Sequence, residues 1–148
     1  GDHHRLRAGG AGRRTPAALP FVDGDPLSLK RLLGWVLAPF MWLLGVPWSE
    51  AQAAGGLMGT KAILNEYVAY LELAALPDGT FGPRSLLIVT YALCGVANLA
   101  SVGLLVSTIG TLAPERRAEA AGLGMKSWIA GNLTSAMTGA WIGLVTYA

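Results

Sequence analysis

Cysteine and histidine are almost missing from this chain. Cys94 is the one cysteine, and His3 and His4 are the only histidines. No disulfide can close within the chain. No histidine stands in its apolar part to serve as a base or a metal ligand. The His3-His4 pair lies in a polar stretch without the further ligands that a metal site needs. Charge is scarce as well: 14% of the residues are charged, against about 25% in an ordinary soluble domain. The net charge is only +2 at pH 7, and the basic residues are scattered, so no nucleic-acid surface is indicated. Apolar residues fill the chain: 53% are hydrophobic and the mean hydropathy is +0.47. This balance predicts a membrane protein built from helices.

The order of polar and apolar stretches divides the chain. Residues 1–26 are rich in Gly and Arg, have no apolar period, and read as a flexible tail or loop. Arg13-Arg14 invites a signal-peptide reading, but prolines and aspartates separate the pair from the apolar run, which excludes it. Residues 27–48 carry an uncharged run broken by Pro39 and punctuated by Trp35, Trp42 and Trp48. The run falls short of the roughly 20 residues a full span requires. Its Trp residues and the preceding Lys30-Arg31 predict an interfacial helix. Ser49 with Gln52 has the spacing of a capping box and predicts a helix start at that point. Residues 49–77 form two apolar arms around Asn65-Glu66. Each arm, at about 1.5 Å per residue, reaches roughly 15–24 Å. Two arms too short to cross, joined at a polar centre, predict a re-entrant hairpin, whose irregular backbone must be surrounded by protein or a water-filled cavity. Residues 84–113 are long enough to span, but Gly95, Asn98 and Ser101 interrupt them, as in a discontinuous transmembrane helix. A polar connector, 114–126, and a last span, 127–148, complete the expected order. The basic residues of the connector place it on the cytoplasmic side.

The chemistry is expected where polar groups enter apolar runs. An ionisable group inside a membrane costs roughly 2.5–3.5 kcal/mol by insertion scales, so Glu66 is the leading candidate. Asn65 beside it is either a ligand or a helix cap. Lys61 is expected to snorkel or to pair with a carboxylate, as a structural rather than a substrate-binding residue, and Glu72 to lie near the interface. Cys94, Asn98 and Ser101 are spaced i, i+4 and i+7 and would share one face of a helix. Asn and Ser offer donors and acceptors, while a carboxylate offers acceptors only. That combination suits a neutral polyhydroxylated ligand, although Asn98 and Ser101 serve equally well as helix–helix glue. Cys94 reads as a small packing residue. The Asn132-Leu133-Thr134 acceptor pattern for glycosylation sits in an apolar span and is incidental.

The stretch Gly45 to Leu73, "GVPWSEAQAAGGLMGTKAILNEYVAYLEL", followed by Thr90 to Gly103, "TYALCGVANLASVG", resembles the C-terminal region of the concentrative nucleoside transporter family. "LAPERR", Leu112 to Arg117, is similar to that family's next connector. The resemblance covers about residues 27–148. It implies an all-α membrane fold, the second of two inverted repeats: interfacial helix, re-entrant hairpin, broken helix and last span. It implies nucleoside transport by cation symport with alternating access, and no enzymatic activity. It implies that Glu66, Asn98 and Ser101 bind the ribose, with Val96 and Leu71 lining the site. Val96 stands where many relatives have Phe. The coupling ion, sodium or proton, would bind outside this chain, and no other cofactor is implied. The implied partners are a nucleoside, the lipid bilayer, an N-terminal half preceding this chain, and two further copies in a homotrimer of the full protein. The implied location is a bacterial inner membrane. Two rival classes are a non-transporting gate or assembly component with the same hairpin, and an intramembrane enzyme using Glu66 and Cys94. The second lacks a histidine or metal set.

Overall fold

The computed structural model describes residues 21–22, 25–26 and 28–147. His3-His4, Arg13-Arg14 and most of the stretch expected as a tail lie outside them. Two short strands, β1 (Phe21–Val22) and β2 (Asp25–Pro26), pair antiparallel. Everything that follows is helical.

Ser28 caps α1 (Leu29–Leu43), its hydroxyl accepting from the Arg31 N–H at 3.2 Å. The helix continues through Pro39 and then turns at Gly45, whose φ of 102° is reached without strain only by glycine. α2 (Trp48–Ile63) starts one residue before the expected cap. Pro47 takes the cap position and its carbonyl already receives the Glu50 N–H at 2.9 Å, so Ser49 lies inside the first turn and caps nothing. A break at Leu64-Asn65 leads into α3 (Glu66–Ala74). The Pro77 to Gly79 turn, with Gly79 at φ 83°, precedes α4 (Pro83–Leu93). A second break, Cys94 to Asn98, separates α4 from α5 (Leu99–Leu112).

The connector expected at 114–126 is not a loop. It is a single 3-10 turn, Pro114–Arg116, and then the first turns of α6 (Arg117–Val145). Its Ala, Leu, Glu, Met and Lys residues are good helix formers whatever their polarity. An Arg116–Glu119 pair at 3.0 Å ties the 3-10 turn to the first turn of α6. Among the described residues no single helix is long and apolar enough to cross a membrane. Only α1 and α2 pass such a test together, and they bend by 118° at their junction.

The helices pack through small residues. α1 and α2 meet where a Cβ on Gly55 would stand 2.6 Å from the Gly34 carbonyl oxygen. α4 and α6 meet where a Cβ on Gly139 would stand 2.7 Å from the Ile88 carbonyl oxygen. Backbones this close gain dispersion over many atoms. Met41, Val46, Leu57, Ile88 and Leu93 form the centre of the core between them. Arg84 fastens its edge, donating to the Gly45 carbonyl at 2.7 Å and to the Gly143 carbonyl at 2.9 and 3.2 Å.

Candidate functional site

Each helix break is built on an asparagine. Asn65 is the N-cap of α3, its Oδ1 accepting from the Val68 N–H at 2.9 Å. Asn98 is the N-cap of α5, its Oδ1 accepting from the Ser101 N–H at 2.7 Å. Such a cap is worth about 1 kcal/mol. It also fixes where the helix begins, so the residues next to each asparagine are placed in space. Glu66 falls in the first turn of α3, where the positive end of the helix dipole favours a carboxylate. Ser101 falls in the first turn of α5.

These two helix starts border one cleft of about 360 Å³, within the usual range of small-molecule sites. Asn65, Glu66, Val96, Asn98 and Ser101 line it, five of the six residues singled out from the sequence. Leu71, the sixth, is not among the lining residues and is 54% exposed. Leu64, Ala100 and Leu104 complete the wall. Nothing in the sequence marks these three among so many other Leu and Ala.

The polar atoms of the cleft have spare capacity. Glu66 Oε2 is buried and has no hydrogen-bond partner among the described residues. The Asn98 Nδ2 reaches only the Val96 carbonyl at 3.5 Å, the outer limit of a hydrogen bond. The Ser101 hydroxyl bonds nothing among the described residues. The cleft thus presents one acceptor-only group and two that donate, the set that hydroxyl groups can satisfy.

Two sequence expectations change, for Cys94 and for Lys61. Cys94 does not share a helix face with Asn98 and Ser101, because the helix ends before it; capping, not helical spacing, brings Asn98 and Ser101 together. Cys94 is exposed rather than packed, and it lines a neighbouring cleft of about 470 Å³ between α5 and α6. That cleft shares Val96, Asn98 and Ser101 with the first. Lys61 neither snorkels nor pairs with a carboxylate. It is fully buried and donates to Asn132 Oδ1 at 3.0 Å and Ser135 Oγ at 2.6 Å on α6. Asn132 is therefore a packing hub, and its amide nitrogen also donates to the Ala97 carbonyl at 3.0 Å. Glu72 is half-buried and joins three helices, accepting from Thr60 at 2.9 Å and pairing with Lys30 at 2.8 Å.

The family profile described as "Na+ dependent nucleoside transporter C-terminus" matches residues 13–143. The chain is 41% identical over 118 residues to the uncharacterized transporter YutK of Bacillus subtilis, covering 80% of this chain and 29% of that protein. It is 37% identical over 124 residues to the nucleoside permease NupC of Helicobacter pylori, covering 81% and 30%. Among solved structures, CNTnw in an inward-facing substrate-bound state is 42% identical, with a TM-score of 0.73 over 81% of this chain and 30% of that one. The chain thus spans about three tenths of the length of these relatives. It belongs to the concentrative, Na+ dependent nucleoside transporter family and corresponds to that family's C-terminal region.

Proposed function

We propose that this chain supplies the ribose-binding half of a nucleoside–cation symporter. Glu66 accepts hydrogen bonds from ribose hydroxyls. Asn98 Nδ2 and the Ser101 hydroxyl complete the ribose contacts from the start of α5, and Asn65 holds Glu66 in place as the cap of its helix. Val96 forms the wall beside them, and a Val in place of a Phe leaves that wall wider. The observation that carries this reading is the buried, unpaired Glu66 Oε2 in the same cleft as Asn98 and Ser101. An orphaned buried carboxylate oxygen is costly, at about 1–3 kcal/mol or more, and a ligand's donor removes that cost.

In the lipid setting, α2 and α3 form the re-entrant hairpin, and α4 and α5 the broken span. The exposed apolar side chains of α5 outside the cleft, such as Leu112, then face lipid or the rest of the transporter. Transport proceeds by alternating access, the hairpin-bearing domain carrying the nucleoside past a fixed scaffold. The N-terminal half supplies that scaffold, the nucleobase contacts, and the site of the coupling ion, sodium or proton. The full protein acts as a homotrimer in a bacterial inner membrane.

Labelled uridine and adenosine uptake by the full-length protein, with and without sodium, tests the reading. Glu66→Gln should reduce uptake at least about tenfold, since a charged hydrogen bond is worth roughly 1.5–3 kcal/mol. Uptake by Glu66→Gln at the unmodified rate would overturn it.

A further inference from the structure

The ammonium of Lys61 is buried to zero exposure, and no function assigned above uses it. A charge in such a place must be satisfied by its surroundings. Among the described residues no carboxylate comes within 4.0 Å of it. Neutral acceptors hold it directly, and the Glu66 carboxylate attracts it from beyond ion-pair distance. Lys61 Nζ donates to Asn132 Oδ1 at 3.0 Å and to Ser135 Oγ at 2.6 Å. The Ser135 hydroxyl in turn donates back to α6, to the Gly131 carbonyl at 3.2 Å or the Asn132 carbonyl at 3.1 Å. Lys61 also stands in the last turn of α2, where free carbonyl groups favour a cation.

The arrangement links both helix breaks. Lys61 lies four residues before Asn65. On the other side, a Cβ on Gly95 would stand 3.7 Å from Lys61 Nζ and 2.9 Å from Ser135 Cβ, so the loop between α4 and α5 lies directly on the ammonium. Asn132 extends the link: its Nδ2 donates to the Ala97 carbonyl at 3.0 Å and the Trp128 carbonyl at 2.9 Å. Ala97 immediately precedes Asn98. The amide of Asn132 has one workable orientation, because the reverse would set its NH2 against an ammonium and its oxygen against two carbonyls. Trp128 adds a bond from its indole N–H to the Ala62 carbonyl at 2.9 Å, next to Lys61. A continuous polar chain therefore runs from the hairpin break, through α6, to the helix break.

We infer that Lys61 is a positioning residue, which through Asn132 and Ser135 fixes the break bearing Glu66 relative to the break bearing Asn98 and Ser101. This rests on the ribose-site reading above. Lys61 touches no substrate. It sets the distance between the carboxylate on one side of the cleft and the amide and hydroxyl on the other. A ligand held from both sides loses hydrogen bonds on one side when that distance changes, and one lost bond of about 1.4 kcal/mol is about tenfold in Kd.

The test is equilibrium binding of labelled uridine and adenosine to the purified full-length transporter, with the fraction of folded protein and the melting temperature measured without ligand. Three variants are compared with the unmodified protein. Lys61→Met removes the ammonium. Ser135→Ala deletes one oxygen. Asn132→Asp keeps an acceptor for Lys61 but loses the donor to Ala97. Positioning predicts that Ser135→Ala and Asn132→Asp each raise Kd about tenfold while folded fraction and melting temperature hold. Kd unchanged in both, whether stability falls or not, overturns the inference and leaves Lys61 as packing only. Lys61→Met is read by the same Kd criterion where it folds. If it does not, the other two variants decide. Absence of nucleoside binding by the unmodified protein overturns the ribose-site reading itself, and this inference with it.

Discussion

Asn98 has two tasks that a single truncation would confuse. Its Oδ1 caps α5 and its Nδ2 is left for the cleft. Asn98→Ser keeps a capping oxygen and removes the amide donor. It should therefore hold thermal stability to within about 1 kcal/mol and still weaken nucleoside binding. Asn98→Ala should lose both, and comparing melting temperature with binding for the two variants separates the tasks. Glu66 and the two asparagines are legible in the sequence because a polar side chain in an apolar run stands out by itself. Asn65 and Asn98 announce a helix start as well, since Asn is a good cap. The wall formed by Leu64, Ala100 and Leu104 is not legible, because identical residues face elsewhere along the same helices. Lys61 was misjudged for another reason. Its partners lie 71 and 74 residues away, and no local pattern connects them. The packing role of Asn132 is hidden for the same reason, its partners Lys61 and Ala97 being 71 and 35 residues away.

At the level of helices, the breaks matter more than the helices they separate. A continuous helix through Cys94 to Asn98 would have no free start at which to place Ser101. The breaks between α2 and α3 and between α4 and α5 follow from polar interruptions in apolar runs, and both fall at their asparagines. The boundary past Pro114 is harder to read: polarity marks a connector, while helix propensity carries α6 through most of it. Packing between α1 and α2 makes its own prediction. Gly55→Val should force a side chain against the Gly34 carbonyl, 2.6 Å from the new Cβ. Overpacking of this kind costs about 1–3 kcal/mol, to be read as a lowered melting temperature of the full-length protein. Gly103→Ala, inside α5, meets nothing within 4 Å and should raise the melting temperature slightly, since alanine is favoured over glycine in a helix interior by about 0.5–1 kcal/mol.

For the whole molecule, the family explains why so much apolar surface is exposed on a chain with a packed core. The chain covers about three tenths of its relatives' length, and the proposed site is built from one side. The central claim is that the Glu66, Asn98 and Ser101 cleft reads the ribose hydroxyls. The most direct measurement changes the ligand rather than the protein: binding of uridine and of 2′,3′-dideoxyuridine to the full-length transporter. Loss of two hydroxyls should leave Glu66 without its donors and weaken binding by about tenfold or more. Equal binding of the two nucleosides would contradict the account.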